Sequence, residues 1–316
     1  MQGVTDYTHG ISAVDSHLLR PLQSAVHVVV EAGRAAIIDT ASIHCAPRVL
    51  AALSAKGVPP ERVDWVVLTH IHLDHAGGAG EFMRRCPNAR LLVHALGARH
   101  MADPAKLVAG TIGVYGEAET RRMYGTVLPV PAERIVTAHD GGSFRLAGRE
   151  FIFHEAPGHA RHHVVLRDSA SGHVFAGDNF GVSYRELDRA GRQFVFPTTT
   201  PVHFDPPALH RSVDRMLALE PKAIYVMHFG RVVEPQCMAA DLHRLIDEHV
   251  RIALEHRDAT GADRHAGLKR ALRALVLEQA RRQDWALSGE PLLEVFRHDI
   301  ELNAQGLAVW LDARQA

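Results

Sequence analysis

Three cysteines in 316 residues, Cys45, Cys86 and Cys237, lie far apart and in no CxxC pair. They supply neither a disulfide framework nor a zinc knuckle, and they read as free thiols in a reducing cytoplasm. Surplus charge is lacking too: 35 Lys and Arg against 36 Asp and Glu leave a net charge of -1. Without a basic excess there is nothing to hold a polyanion, so nucleic acid is not an expected partner. No apolar run reaches the ~20 residues of a membrane span. The opening "MQGVTDYTHG" also lacks the basic-then-apolar pattern of a signal peptide, so the expectation is a soluble cytoplasmic protein. There is no GxSxG elbow and no Cys–His pairing, hence no serine or cysteine nucleophile. Low-complexity linkers and short-period repeats are likewise missing. An apolar fraction of 47% and a charged fraction of 22% are ordinary for a globular chain.

Histidine is what the chain has in excess, with 23, roughly three times an average usage. "THIHLDHAGG", residues 69–78, places His70, His72, Asp74 and His75 within six positions. Two residues apart in extended chain, His70 and His72 point to one side. Asp74 and His75 follow where the glycine-rich turn begins a helix, and can face the same cavity from another direction. Imidazole and carboxylate together suit zinc, iron, manganese or cobalt. Four ligands from one loop start two metal sites without finishing them. The missing donors stand at other strand ends: His159 after "REFIFHE", Asp178 closing "HVFAGD", and His228 closing "AIYVMH". His162 and His163 rival His159, but the Pro157-Gly158 turn presents His159. His154, inside a strand, reads as a strand residue and not as a ligand.

Along the chain, "AVHVVVEAG" and "RAAIIDTA" read as a hairpin around Ala32-Gly33 with its second strand ending at Asp39. "APRVLAALSAKG" has helical spacing and stops at Gly57. "VDWVVLTH" is an apolar β-branched run that delivers His70. "AGEFMRRCP" reads as a helix stopped by Pro87 and "ARLLVHA" as another strand, while residues 103–128 remain ambiguous. "REFIFHEAPGH", "HHVVLRD" and "GHVFAGD" read as strands or hairpin arms, "PPALHRSVDRMLALEP" as a helix, and "KAIYVMHFG" as a strand. From about residue 236 the sequence turns helical, and His243, His249, His256 and His265 are expected to face solvent. The resulting division is 1–235, a mixed αβ body, and 236–316, a helical extension packed on it. That tail, with Val309 and Trp310 in need of burial, is expected to cap the body and to contribute to a homodimer.

The order HxHxDH, His, Asp, His resembles the metallo-β-lactamase superfamily of hydrolases over about residues 20–235. The resemblance implies an α/β αββα sandwich. It implies one divalent ion held by His70, His72 and His159, a second by Asp74, His75 and His228, and Asp178 bridging them. Zinc comes first, with iron or manganese as alternatives. Asp39 matches an early aspartate that stands behind the ligands. Retention of His75, and no cysteine at a strand end near the site, look like the glyoxalase II branch. "PGHARHH", "PTTTPVHFDP" and "MHFG" look like a poorly characterised bacterial group within it. The chemistry implied is a metal-bridged hydroxide attacking an ester-like carbonyl of a small molecule, thioester or lactone first, with Asp74 also orienting the hydroxide. Arg161, His162, His163, Tyr184 and Phe204 are candidate substrate contacts. Two alternatives stay open: a mononuclear iron oxygenase resembling persulfide dioxygenases, and a non-enzymatic effector that binds a small ligand.

Overall fold

The computed structural model describes residues 3–315. Seven strands form a first sheet in chain order: β1 (Val4–Asp6), β2 (Ile11–Asp15), β3 (Ala25–Glu31), β4 (Arg34–Ile38), β5 (Val63–Val67), β6 (Arg90–His94) and β7 (Ile135–Ala138). β1 to β4 pair antiparallel. The β3–β4 hairpin turns at Ala32 and Gly33, both with positive φ, the backbone that matches strand twist. β1 and β2 precede the first strand expected from the sequence.

β4 to β7 pair parallel, which requires crossovers, and helices supply them. α1 (Ala46–Ala55) joins β4 to β5; α2 (Leu73–Ala76) and α3 (Ala79–Arg85) join β5 to β6. Between β6 and β7 lie α4 (Ala95–Ala102) and, within the ambiguous stretch 103–128, α5 (Ala105–Tyr115) and α6 (Glu117–Tyr124).

The second sheet runs β8 (Ser143–Leu146), β9 (Arg149–Glu155), β10 (Val164–Asp168), β11 (Val174–Gly177), β12 (Ile224–Val226) and β13 (Gly230–Val232). Only β11 and β12 pair parallel, with α7 (Pro206–Ala218) between them in the chain. Four helices follow: α8 (Pro235–Glu255), α9 (Gly261–Gln283), α10 (Gly289–Val295) and α11 (Arg297–Gln315).

Strand alternation builds the layers. On β3, Val26 and Val28 pack with Ala46, Val49 and Phe82 of the helical layer. Val29 belongs to the other side, where Ile38, Val67 and Leu92 meet Phe151, Phe153 and Phe175 of the second sheet. The outer face of that sheet, through Val165, Ala176 and Val226, shares one core with Leu242, Leu272 and Leu307 of the C-terminal helices. The architecture is therefore an αββα sandwich. None of the helices is long and apolar enough to cross a membrane among the described residues.

One expectation fails in this layer. His249 does not face solvent; it is fully buried on α8, its Nδ1–H donating to the Leu245 carbonyl at 2.7 Å. Its position continues the apolar stripe of Leu242, Leu245 and Ile246, so the helix cannot expose it. His243 is half-buried and stacks on His210 of α7, with ring centroids 4.9 Å apart.

Candidate metal centre

Five chain segments converge where strands give way to loops. β4 ends beside Asp39, a non-glycine residue at φ 55, a backbone conformation that costs about 1–3 kcal/mol and persists only where its surroundings hold it. The Asp39 carboxylate accepts from Thr69 N at 2.9 Å and from His75 Nδ1–H at 2.9 Å. It thereby ties the end of β4 to the loop after β5. α2 begins at Leu73, ahead of Gly77 and Gly78 and not after them, so Asp74 and His75 leave its first turn while His70 and His72 come from extended chain. β11 ends at Gly177 with φ +50, where a Cβ would fall 2.6 Å from Thr69 Oγ1 and 2.7 Å from His163 Nε2. Only glycine fits that turn, and it delivers Asp178.

Two donor groups result: His70, His72 and His159, and Asp74, His75, Asp178 and His228. Within each, one donor atom per residue lies within 4.8 Å of all the others. His72 Nδ1 is 2.9 Å from His70 Nε2 and 3.0 Å from His159 Nε2. In the second group His75 Nε2 lies 3.1 Å from Asp178 Oδ1, and His228 Nε2 lies 3.3 Å from Asp74 Oδ2. Asp178 touches both groups, since its Oδ2 is 3.4 Å from His159 Nε2.

The outer ring nitrogens are tied down. His228 Nδ1–H donates to the Gln23 carbonyl at 3.0 Å, and His159 Nδ1 lies 2.7 Å from Thr198 Oγ1. Such anchors fix the tautomer and aim the other nitrogen inward, as supporting partners do around bound metals. Buried His75 Nε2 and Asp178 Oδ1 face each other at 3.1 Å without hydrogen-bond alignment, and neither has another hydrogen-bond partner among the described residues. Burial, then neighbouring imidazoles, holds His70 and His72 well below the ordinary imidazole pKa, in the neutral form that ligates. Burial opposes charge on His75 as well, yet the Asp178, Asp39 and Asp74 carboxylates raise its pKa well above the ordinary value. Burial likewise opposes ionisation of Asp178, but His75 and His228 keep its pKa well below the usual carboxylate range. Neutral imidazoles around a site that draws positive charge suit a divalent cation, and the donors present fit one.

A cavity of about 430 Å³ opens beside both groups and has His72, Asp74 and Asp178 in its wall. Arg161 and His162 also line it. His163 does not; it is buried, and its Nε2 accepts from Asp178 N at 3.2 Å, supporting the turn instead. Tyr184 and Phe204 are placed in the core and not in the cavity wall. The Tyr184 hydroxyl is satisfied by the Asp299 carboxylate at 2.9 Å, and Phe204 packs towards Trp310.

Sequence reasoning missed two contributors. α4 and α5 supply one wall of the cavity. α11 brings His298, Asp299, Leu302 and Asn303 into a small recess shared with Asp74, Asp178 and His228. A signal for α5 was available: "AKLVAGTIGVY" between Pro104 and Gly116 is apolar at helical spacing, yet none of its residues is fully buried.

The sequence pattern of the metallo-beta-lactamase superfamily matches residues 19–228, from just before β3 to the last of these histidines. The chain belongs to that superfamily. Its members are metal-dependent hydrolases, and the fold implies divalent metal binding.

A metallo-beta-lactamase fold-containing protein of Sulfurisphaera tokodaii, ST1585, is 28% identical over 199 residues, 60% of this chain and 68% of that one. A hydroxyacylglutathione hydrolase of Xanthomonas euvesicatoria is 31% identical over 173 residues, 55% of this chain; the match spans 49% of that enzyme's length. Among solved structures, that of ST1585 covers 98% of this chain and 100% of its own, with a TM-score of 0.64 at 21% identity. A metallo-beta-lactamase family protein of Thermus thermophilus, TTHA1429, covers 97% and 94%, with a TM-score of 0.62 at 22% identity. These two structures support the fold.

Proposed function

We propose that the protein is a dinuclear metal-dependent hydrolase of ester-like bonds, with thioester and lactone ahead of phosphodiester. The observation that carries this reading is a pair of donor groups joined by Asp178 in the wall of one cavity. His70, His72 and His159 would hold one ion, Asp74, His75 and His228 the other, and Asp178 would reach both. Imidazole and carboxylate without sulfur put zinc first, with iron or manganese next. Bound there, such ions supply a water of pKa near 7 in place of about 15.7, and a Lewis acid for the carbonyl oxygen. Asp74, half-buried and in the cavity wall, is placed to accept a proton at Oδ2 and to orient the attacking water. Arg161 and His162 are placed to contact substrate. The hydroxyacylglutathione hydrolases among the relatives support hydrolysis of an acyl–thiol bond. A cavity of this volume suits a small molecule and not a nucleic acid, and three free thiols suit a reducing cytoplasm.

The test is elemental analysis of protein purified without added metal, beside a panel of esters and thioesters. Two ions per chain are expected, lost together in His75→Ala and His228→Ala variants whose circular dichroism is unchanged. A single tightly held iron, indifferent to His228, would move the reading to an oxygenase. Tight ligand binding with no turnover across the panel would make the protein an effector.

A further inference from the structure

We propose that the cavity selects acyl thioesters with a long apolar acyl chain and an anionic thiol carrier, a substrate class that rests on the hydrolase reading above. α5 carries the first observation. Leu107, Gly110, Thr111 and Val114 recur at three- and four-residue spacing along one helical face, and all line the cavity. No residue of α5 is fully buried: Leu107 packs partly on Leu73 and Tyr124 and Val114 is half-buried, so the fold covers this apolar face only in part. Leu96 and Val202, also in the wall, are 56% and 63% exposed. An apolar wall left open at its mouth fits an acyl chain that removes it from water.

Charge carries the second observation. Arg99 of α4, Lys106 of α5 and Arg161 from the loop after β9 share the wall. Among the described residues no carboxylate lies within 4.0 Å of any of the three cationic groups. The Asp103 carboxylate, the nearest acid in sequence, accepts from Ala105 N. The field is felt locally: burial first, then Arg99 and Lys106, lowers the pKa of His100 against a smaller pull from Asp103. His203, in the same wall, is lowered by burial and by Arg161. Arg99 Nε donates to His100 Nε2 at 3.3 Å, but cations without a carboxylate partner around an apolar slot call for phosphate or carboxylate on the half of the substrate that stays outside. In the reaction, the acyl C–S bond breaks and a C–O bond to water oxygen forms. One water proton ends on the thiolate sulfur, the other leaves with the carboxylic acid, and no oxidant or reductant is consumed.

The test measures binding of uncleavable thioethers to the metal-loaded full chain by calorimetry. The probes are S-butyl, S-octyl and S-dodecyl coenzyme A, the same alkyl groups on uncharged N-acetylcysteamine, and S-octyl glutathione. Affinity is expected to rise about fourfold per methylene until the slot is filled. The anionic series should outbind the neutral one, and that preference should weaken with salt. Replacing Arg99, Lys106 and Arg161 together by Ser should cut the ratio of anionic to neutral affinity by about tenfold or more. Val114→Trp should shorten the preferred chain. The octyl glutathione and coenzyme A arms separate a carboxylate carrier from a phosphate one.

Equal binding of charged and uncharged series, or no dependence on chain length, overturns the proposal. Should neutral short esters still be hydrolysed in that case, the hydrolase reading survives without it. Thioethers that bind as expected while the matching thioesters go uncleaved would sink the hydrolase reading and leave an anionic-amphiphile site.

Discussion

At the scale of single residues, the centre depends on groups that touch no reacting atom. Asp39 is the clearest. Its carboxylate holds Thr69 N and His75 Nδ1 together across two strands, from a left-handed backbone that nothing local favours. Asp39→Asn keeps the shape but replaces an acceptor-only group by an amide that can turn an N–H towards His75. Metal affinity is expected to fall by about 10–100-fold, with the chain still folded; competition against a chelator of known strength measures it. Unchanged affinity would reduce Asp39 to a structural strut. His163 belongs to the same kind, since it supports the turn that presents Asp178 and stands clear of the cavity.

At the scale of elements, α11 decides how closed the site is. Asn303 accepts from Thr199 N at 2.7 Å and donates to the Pro197 carbonyl at 3.1 Å, tying the helix to the loop beside the cavity. Gly306 lies on the Thr199 carbonyl, and a Cβ there would overlap it. Gly306→Ala is therefore expected to push α11 off that loop, despite alanine's better helix propensity, and to destabilise the fold by about 1–3 kcal/mol. Urea denaturation reads the loss directly. A more stable variant would show that the contact yields without strain.

Across the whole molecule, a buried charge network joins the two sheets. Arg149 on β9 pairs with Asp168 at the end of β10; it also donates to the His9 carbonyl at 2.6 Å and lies 3.3 Å from Glu31 on β3. Burial acts to raise the pKa of Asp168, but Arg149 and Ser171 hold it below its ordinary 3.8. A depressed carboxylate contributes stability that is present above about pH 4 and is lost as pH falls through its lowered native value. Arg149→Met leaves that carboxylate buried without its cation, an expected loss of about 3–5 kcal/mol at neutral pH. The deficit should shrink on acidification, because a protonated Asp168 no longer needs the partner. Chemical denaturation of both proteins at several pH values tests the sign; a deficit that grew towards acid would contradict it.

The donor residues were legible in the sequence because metal chemistry restricts residue type, and because strand ends are marked by the change from apolar run to turn. Residue type and position at a strand end therefore mark His70, His72, Asp74, His75, His159, Asp178 and His228 in the sequence. A mixed αβ body was legible too, because hydrophobic period reflects local physics that neighbouring residues share; its αββα layering was implied by the family resemblance that the order of the ligands carries. The cavity was not legible. Leu96, Arg99, Lys106 and Val114 carry no motif, and only packing sets their α4–α5 wall beside Asp178. Tyr184 and Phe204 show the converse, aromatic loop residues that look available in sequence and are taken into the core by α11. Sequence alone determined which atoms could ligate, since that is a property of the side chain. Tertiary structure decided which surfaces remained open to a substrate, since that depends on what every distant segment leaves uncovered.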